Sequence, residues 1–284
     1  MATRAARGFG QYSGAARALE RVGDRWALLI VRDLLVGARR YGDLKAGLPR
    51  IPTNILSDRL KELQESGVIR RVPTVRGGYE LTTFGRALEP VVVALERWGW
   101  SALGDPAEGE VVTADALAVA LRAAFRSDVA AGAPPTEYVL HVGIASMAEA
   151  SAAEAAAAQA SVGEASAAEA SAAEASAGDT GGAVSVVAVV ANATLDVTPI
   201  GPGALPQPRR GDAAEVAFEA SAEFVLSAAE FRDLISGALD PAAVQLLAGE
   251  QDAVERFART FHIDPVGPAP DAAVGSDTAR ASVA

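Results

Sequence analysis

Hydrophobic positions change their rhythm along the chain, and the rhythm predicts the elements. Trp26 to Leu35 (WALLIVRDLL) is a nearly unbroken apolar run and reads as a buried helix. Gly42 to Leu48 predicts a second, shorter helix, introduced by Arg39, Arg40 and Tyr41. Pro49 and Pro52 then punctuate the chain, and Thr53 is placed to cap a third helix. Leu56, Leu60 and Leu63 line one face of that helix at i, i+4 and i+7 until Gly67 stops it. Asn54, Asp58, Lys61 and Glu65 lie opposite the leucines on the wheel. Val68 to Pro73 and Tyr79 to Leu81 are short β-type runs joined through Arg76, Gly77 and Gly78, a hairpin signal. A last helix from Thr83 to Trp98 aligns Phe84, Leu88, Val91 or Val92, Leu95 and Trp98, with a bend expected at Pro90.

Beyond residue 112 the pattern mixes periods. Thr113 is placed to cap a helix with Leu117, Leu121, Ala124 and Phe125 inward. Tyr138 to Gly143, Val184 to Ala191, Leu195 to Thr198 and Val216 to Leu226 are β-like, the last alternating apolar against Glu219, Ser221 and Glu223. Ser227 and Glu230 form a capping box for a helix burying Phe231, Leu234, Ile235, Ala238 and Leu239. Asp240 and Pro241 open another, and Val254, Phe257, Ala258 and Phe261 mark a final one. The whole reads as a mainly α N-terminal domain followed by an α+β domain in which helices back an antiparallel sheet.

Charge separates the same two parts. The 284 residues carry 25 basic and 36 acidic side chains, a net of −11. Residues 1–104 hold 17 basic and 10 acidic, a net of +7, and the other 180 hold 8 and 26, a net of −18. The expected boundaries are therefore 1–104, an acidic linker at 105–112 (DPAEGEVV), and a second domain at 113–262. Inside the latter, residues 145–178 contain 18 Ala, 6 Ser and 5 Glu among 34, a low-complexity insertion read as partly helical or disordered. The Pro- and Gly-rich tail at 263–284 is expected to be disordered.

Chemistry is scarce. Cysteine is absent, which excludes disulfides, thiolate catalysis and zinc ribbons. The two histidines, His141 and His262, are far apart in sequence and read as structural, so neither a metal site nor a His-based triad is expected. No apolar run approaches the ~20 residues that span a bilayer, and no secretory leader is evident, so a cytoplasmic, non-enzymatic chain without a cofactor is expected.

A basic module built from helix, short helix, proline-bounded turn, polar-faced helix and arginine-tipped hairpin has the order of a winged helix-turn-helix. Its third helix can bury one face and offer short polar side chains to base edges in a major groove. Thr53, Asn54 and Ser57 are the expected base-facing residues, while Arg40, Arg50, Lys61 and Arg76 are expected on phosphates. Arg59 completes the DNA-binding set, with neighbouring Asp58 either orienting it or reading a cytosine amino group. Arg70 and Arg71 lie on the same hairpin.

Residues 12–100 resemble an HxlR-type transcriptional regulator. The resemblance rests on ALERVGDRWALLIVRDLL (18–35), RRYGDLKAGLP (39–49), LSDRLKELQESGVIRR (56–71) and YELTTFGRALEPVVVALERWG (79–99). It implies a homodimer formed by the first and last helices of the module, binding double-stranded DNA at a pseudo-palindromic operator. Where many members have Tyr-Cys-Pro this chain has Tyr12, Ser13 and Gly14, which removes the thiol. Residues 224–261 resemble a sterol-carrier-protein type 2-like domain, through hydrophobic pattern, the capping position and a Gly-X-X-D turn at Gly249 to Asp252. That resemblance implies a hydrophobic small-molecule effector held by Phe218, Phe224, Phe231, Leu234 and Phe257. A closed core without a ligand is the alternative, and a carrier or scaffold whose winged helix only dimerises is the rival function.

Overall fold

The computed structural model describes residues 8–72, 77–143, 183–200, 220–264 and 266. In the basic half, α1 (Gly14–Val22), α2 (Ala27–Val36), α3 (Tyr41–Gly47) and α4 (Thr53–Glu65) precede a hairpin of β1 (Ile69–Val72) and β2 (Gly78–Leu81). Helix α2 is the hub: Ile30, Val31 and Leu34 are fully buried, and Leu44 of α3 and Leu56, Leu60 and Leu63 of α4 belong to the same core. Each leucine so buried contributes roughly 1.5 to 3 kcal/mol, which holds α4 by one face and leaves the other free. Gly67, with φ +75, reverses the chain after α4 in a conformation that favours glycine. The hairpin runs antiparallel with Arg71 opposite Tyr79.

Two expectations in this half are corrected. Thr53 is the first helical residue and Pro52 takes the capping place, without a side-chain cap. The helix expected from Thr83 to Trp98 is two helices, α5 (Thr83–Arg86) and α6 (Glu89–Trp100). Pro90 lacks an N–H and fits a first turn, so α6 starts around it instead of bending through it.

In the acidic half, α7 (Ala114–Ala124), capped by Thr113 as expected, and α8 (Ser127–Ala130) lead into β3 (Thr136–Gly143), β4 (Val184–Ala191) and β5 (Thr194–Ile200). After β6 (Ala220–Ser227) come α9 (Ala228–Ser236), a 3-10 turn at Pro241–Ala243, β7 (Gln245–Gly249) and α10 (Gln251–Thr260). The sheet order is β5-β4-β3-β6-β7. It is mixed, which corrects the antiparallel expectation: β6 lies on the side of β3 away from β4 and pairs with it in parallel.

The helix expected at Asp240 is also corrected. The Asp240 side chain accepts from the Ala242 N–H and Pro241 starts one tight turn, after which the chain takes the open edge of β6 as β7. The Ser227 and Glu230 capping box is present. Ala238, expected inward, is exposed, since α9 ends at Gly237 in a left-handed turn. The insertion at 145–178, Phe218 and residues 267–284 lie outside the described residues.

One hydrophobic core runs through both halves, and α7 joins them. Its Leu117, Ala118, Val119, Ala120, Leu121, Ala123 and Ala124 are all buried, because the helix packs on α2 and α6 on one side and on β4 and β5 on the other. Polar ties reinforce it: Arg39 makes a two-point ion pair with Asp115, Arg122 donates to the Leu35 carbonyl at 3.1 Å, and Arg97 donates to that of Ala123 at 2.6 Å.

Candidate nucleic-acid interface

Helix α4 is anchored by its leucines, so its outward face is fixed by periodicity: Thr53, Asn54, Ser57, Asp58 and Lys61 are all exposed. The Ser57 hydroxyl donates to the Thr53 carbonyl at 3.1 Å, and the Tyr41 hydroxyl donates to the same carbonyl at 2.9 Å. The side chains of Thr53, Asn54, Asp58 and Lys61 make no hydrogen bond among the described residues.

The cations divide. Lys61, with Tyr41, Ser57, Gln64, Arg71 and Tyr79, lines a polar cleft of about 370 Å³ between α4 and the hairpin. Arg71 lies over the Tyr79 ring at 5.4 Å and donates to its hydroxyl at 3.2 Å, which orients the guanidinium. Arg70, by contrast, is spent on Glu80 at 2.6 Å. Arg59 pairs with Glu62 at 2.7 Å and with Asp24 at 3.4 Å, not with Asp58, so the expectation that Asp58 orients it is corrected. A glutamate one turn further along α4 and an aspartate before α2 outcompete the adjacent residue, which points to a different side of the helix. Arg40 is half-buried at the start of α3, its backbone N–H donating to Asp43. Arg50 is exposed and donates to the carbonyls of Gly109 and Glu108, at 3.2 and 3.5 Å. Arg76 falls among residues 73–76, outside the described residues.

The structure therefore gathers Thr53, Asn54, Ser57 and Lys61 on one face, places Arg50 at the N-terminal end of α4, and turns Arg59 aside. Tyr41, Gln64 and Tyr79 were missed by sequence reasoning. The register of Arg71 against Tyr79 would have exposed the last of them, had the hairpin been aligned residue by residue.

Of the residues expected around an apolar effector, Phe224 and Phe257 are completely buried and Leu234 and Phe231 nearly so. Phe257 stacks on Phe261 at 4.5 Å and meets Phe224 at 5.1 Å and Tyr138 at 5.2 Å, so these rings fill one another's space. Phe231 instead turns its edge to Trp100 of the basic half, at 6.0 Å.

His141 has more partners than its sequence neighbours promised: one ring nitrogen meets Ser185 at 2.7 Å and the other Glu223 at 2.9 Å across three strands. Among the described residues no group of three or more His, Asp or Glu is placed to hold a metal ion, and no helix is long and apolar enough to cross a membrane.

One buried acid stands apart. Burial raises the Asp33 carboxyl to about 6, against the lowering effect of Arg32 at 2.8 Å, and its Oδ2 has no hydrogen-bond partner.

Comparison with known proteins finds similarity over the basic half. The family model for the HxlR-like helix-turn-helix matches residues 21–106. The HTH-type transcriptional regulator Mb3122 of Mycobacterium bovis is 47% identical over 87 residues, which are 29% of this chain and 54% of that protein. This chain thus spans about half the length of that relative. The HTH-type transcriptional regulator YvaP of Bacillus subtilis is 40% identical over 86 residues, covering 29% of this chain and 80% of YvaP. The solved structure of the redox regulator HypR in its reduced form aligns with 30% identity over 31% of this chain and 92% of that one, at a TM-score of 0.30. With 80% of YvaP covered at that identity and the leucine-anchored α4 beside its hairpin, the chain belongs to the HxlR-like helix-turn-helix family of transcriptional regulators.

Proposed function

We propose that the protein is a cytoplasmic homodimeric regulator whose paired α4 helices enter successive major grooves of a pseudo-palindromic operator. The observation that carries this reading is the face of α4: Thr53, Asn54, Ser57 and Lys61 exposed on a helix whose opposite side is locked into the core. Asn54 reads a base edge, and Lys61, Arg50, Arg40 and Arg76 meet phosphates. Ser57 acts at shorter range, since its hydroxyl already bonds the Thr53 carbonyl.

Dimerisation is supported by an apolar face that the single chain leaves uncovered. Trp98 is 69% exposed, Phe84 58% and Leu95 44%, with Val91 beside them, and Leu19 of α1 and Tyr12 before it are exposed too. Exposed apolar side chains on α1, α5 and α6 fit burial against a second copy of the same chain.

The five-stranded sheet backed by α9 and α10 supports reading residues 113–262 as a sterol-carrier-like layer. Control by a hydrophobic effector would require the rings of Phe224, Phe257 and Phe261 to part, so the DNA reading is kept independent of any effector. The test is selection of duplexes from a randomised pool with the full chain, followed by binding of the winners across a salt series. Enrichment of a two-fold symmetric site supports the reading, and recovery of no sequence above background overturns it.

A further inference from the structure

We infer that the acidic linker is an internal competitor for DNA, seated on Arg50 and held there by the α+β domain. This rests on the reading of α4 as the DNA-facing helix and adds a route by which the second domain acts on it.

The linker is built, not slack. The Glu110 N–H donates to the Ala107 carbonyl at 3.0 Å, and the Glu110 carboxylate accepts from the Ala107 N–H at 3.0 Å, which closes a four-residue turn from both ends. Gly109 occupies the third position of that turn with φ +73, the left-handed conformation a type II turn requires there. The turn aims the Glu108 and Gly109 carbonyls at the Arg50 guanidinium. A Cβ added at Gly109 would stand 3.4 Å from that guanidinium nitrogen, so the approach is close.

The upstream end is tied elsewhere. Asp105 pairs at 2.8 Å with Arg232 of α9, whose guanidinium is held above its usual value by Asp233 and Asp105. The linker is thus clamped between a helix of the α+β domain and the cation that precedes α4.

The chemistry of the seat matches a phosphodiester. Arg50 offers N–H donors at the N-terminal end of α4, where a DNA backbone passes a recognition helix, and two carbonyl oxygens share its Nη2. Glu108 and Glu110 are exposed and give this turn its negative charge. A phosphate that takes the Nη2 donors of Arg50 must therefore displace the turn, whereas the linker makes no contact with the cleft lined by Lys61 and Arg71. Any event that loosens Asp105 from Arg232 frees the seat, and the α+β domain gains control of affinity without a ligand touching the helix-turn-helix.

The experiment uses the full chain and a random-sequence duplex at low salt, since phosphate contacts do not need an operator. Three variants weaken the competitor by different means: Glu108→Gln with Glu110→Gln removes its charge while keeping an acceptor for Ala107, Gly109→Val breaks the left-handed residue without changing charge, and Arg232→Gln releases the anchor. Each is expected to bind roughly three- to tenfold more tightly than the wild type, with the gain shrinking as salt rises. In an Arg50→Ala background the gain disappears, while in a Lys61→Ala background it persists. A gain that survives Arg50→Ala undiminished, or no gain from Gly109→Val and Arg232→Gln, overturns the competitor. Absence of salt-sensitive binding by the wild type and by every variant overturns the DNA reading beneath it.

Discussion

Removing the Asp115 carboxylate strands a buried guanidinium, and the cost can be worked from the geometry. Arg39 is 4% exposed; its Nε donates to one carboxylate oxygen at 3.0 Å and its Nη2 to the other, while Nη1 keeps the Ala38 carbonyl at 3.1 Å. The Arg39 backbone also bridges to Tyr79 of the hairpin by bonds of 3.0 and 2.8 Å, so one residue touches the hairpin, the start of α3 and α7. Breaking one side of a buried pair typically costs about 3 to 5 kcal/mol, because the remaining charge is left without compensation. The nearby negative charge of Asp33 offsets part of this, and we expect Asp115→Ala to lose about 3 kcal/mol.

Asp115→Asn restores an acceptor and is expected to lose about half as much. Replacing both partners, Arg39→Met with Asp115→Leu, removes the stranded charge and should come within about 1 kcal/mol of the wild type. Urea unfolding followed by circular dichroism gives the three values. A loss below about 1 kcal/mol for Asp115→Ala, or a double variant as unstable as the sum of the single ones, would refute the buried-pair reasoning.

Asp33 has a folded value of about 6 against 3.8 for a free side chain, so the folded state holds its proton over a range where the unfolded state has lost it. Stability from this group therefore falls as pH rises from about 4 to 6, by up to about 3 kcal/mol, and Asp33→Asn should flatten that slope in pH-dependent unfolding; an unchanged slope rules the assignment out. Asn54→Ala should change preference at one base pair by about 1 to 3 kcal/mol, whereas Lys61→Ala should weaken all duplexes alike and reduce the salt slope by about one unit, both read by fluorescence anisotropy. Trp98→Glu, on the uncovered α6 face, should convert a dimer to a monomer in light scattering without lowering the melting temperature of the fold; an unchanged mass places the dimer elsewhere.

How much of this was legible in the sequence depended on whether an element's cause was local. The leucine spacing of α4, the stop at Gly67, the Thr113 cap and the Ser227 and Glu230 capping box each depend on residues within one or two turns, and the structure has them where the pattern put them. Strand β7 did not show, because QLLAG is too short to alternate and becomes a strand only by meeting the free edge of β6. The parallel pairing of β3 with β6 depends on the path between distant strands, which no window of sequence contains. Helix α7 was readable as a helix but not as a bridge; its all-round small apolar surface was the available clue.

At the site, periodicity set the outward face of α4, but partners chose the roles. Glu62 and Asp24 claimed Arg59, Glu80 claimed Arg70, and the linker claimed Arg50 across almost 60 residues. Charge counting assigned the linker no task beyond connection, because a carbonyl pair at a type II turn leaves no mark in composition.

The most direct measurement of the central claim is the affinity of the full chain for a selected duplex, against a scrambled duplex of equal length, across a range of salt. A DNA-reading α4 gives tighter binding to the selected site by about three orders of magnitude or more, and a strong linear fall of log affinity with log salt on both duplexes. Asn54→Ala should lower the first ratio while leaving the salt dependence intact. Equal affinity for the two duplexes at every salt concentration, or no dependence on salt, would contradict the claim that this face of α4 reads DNA.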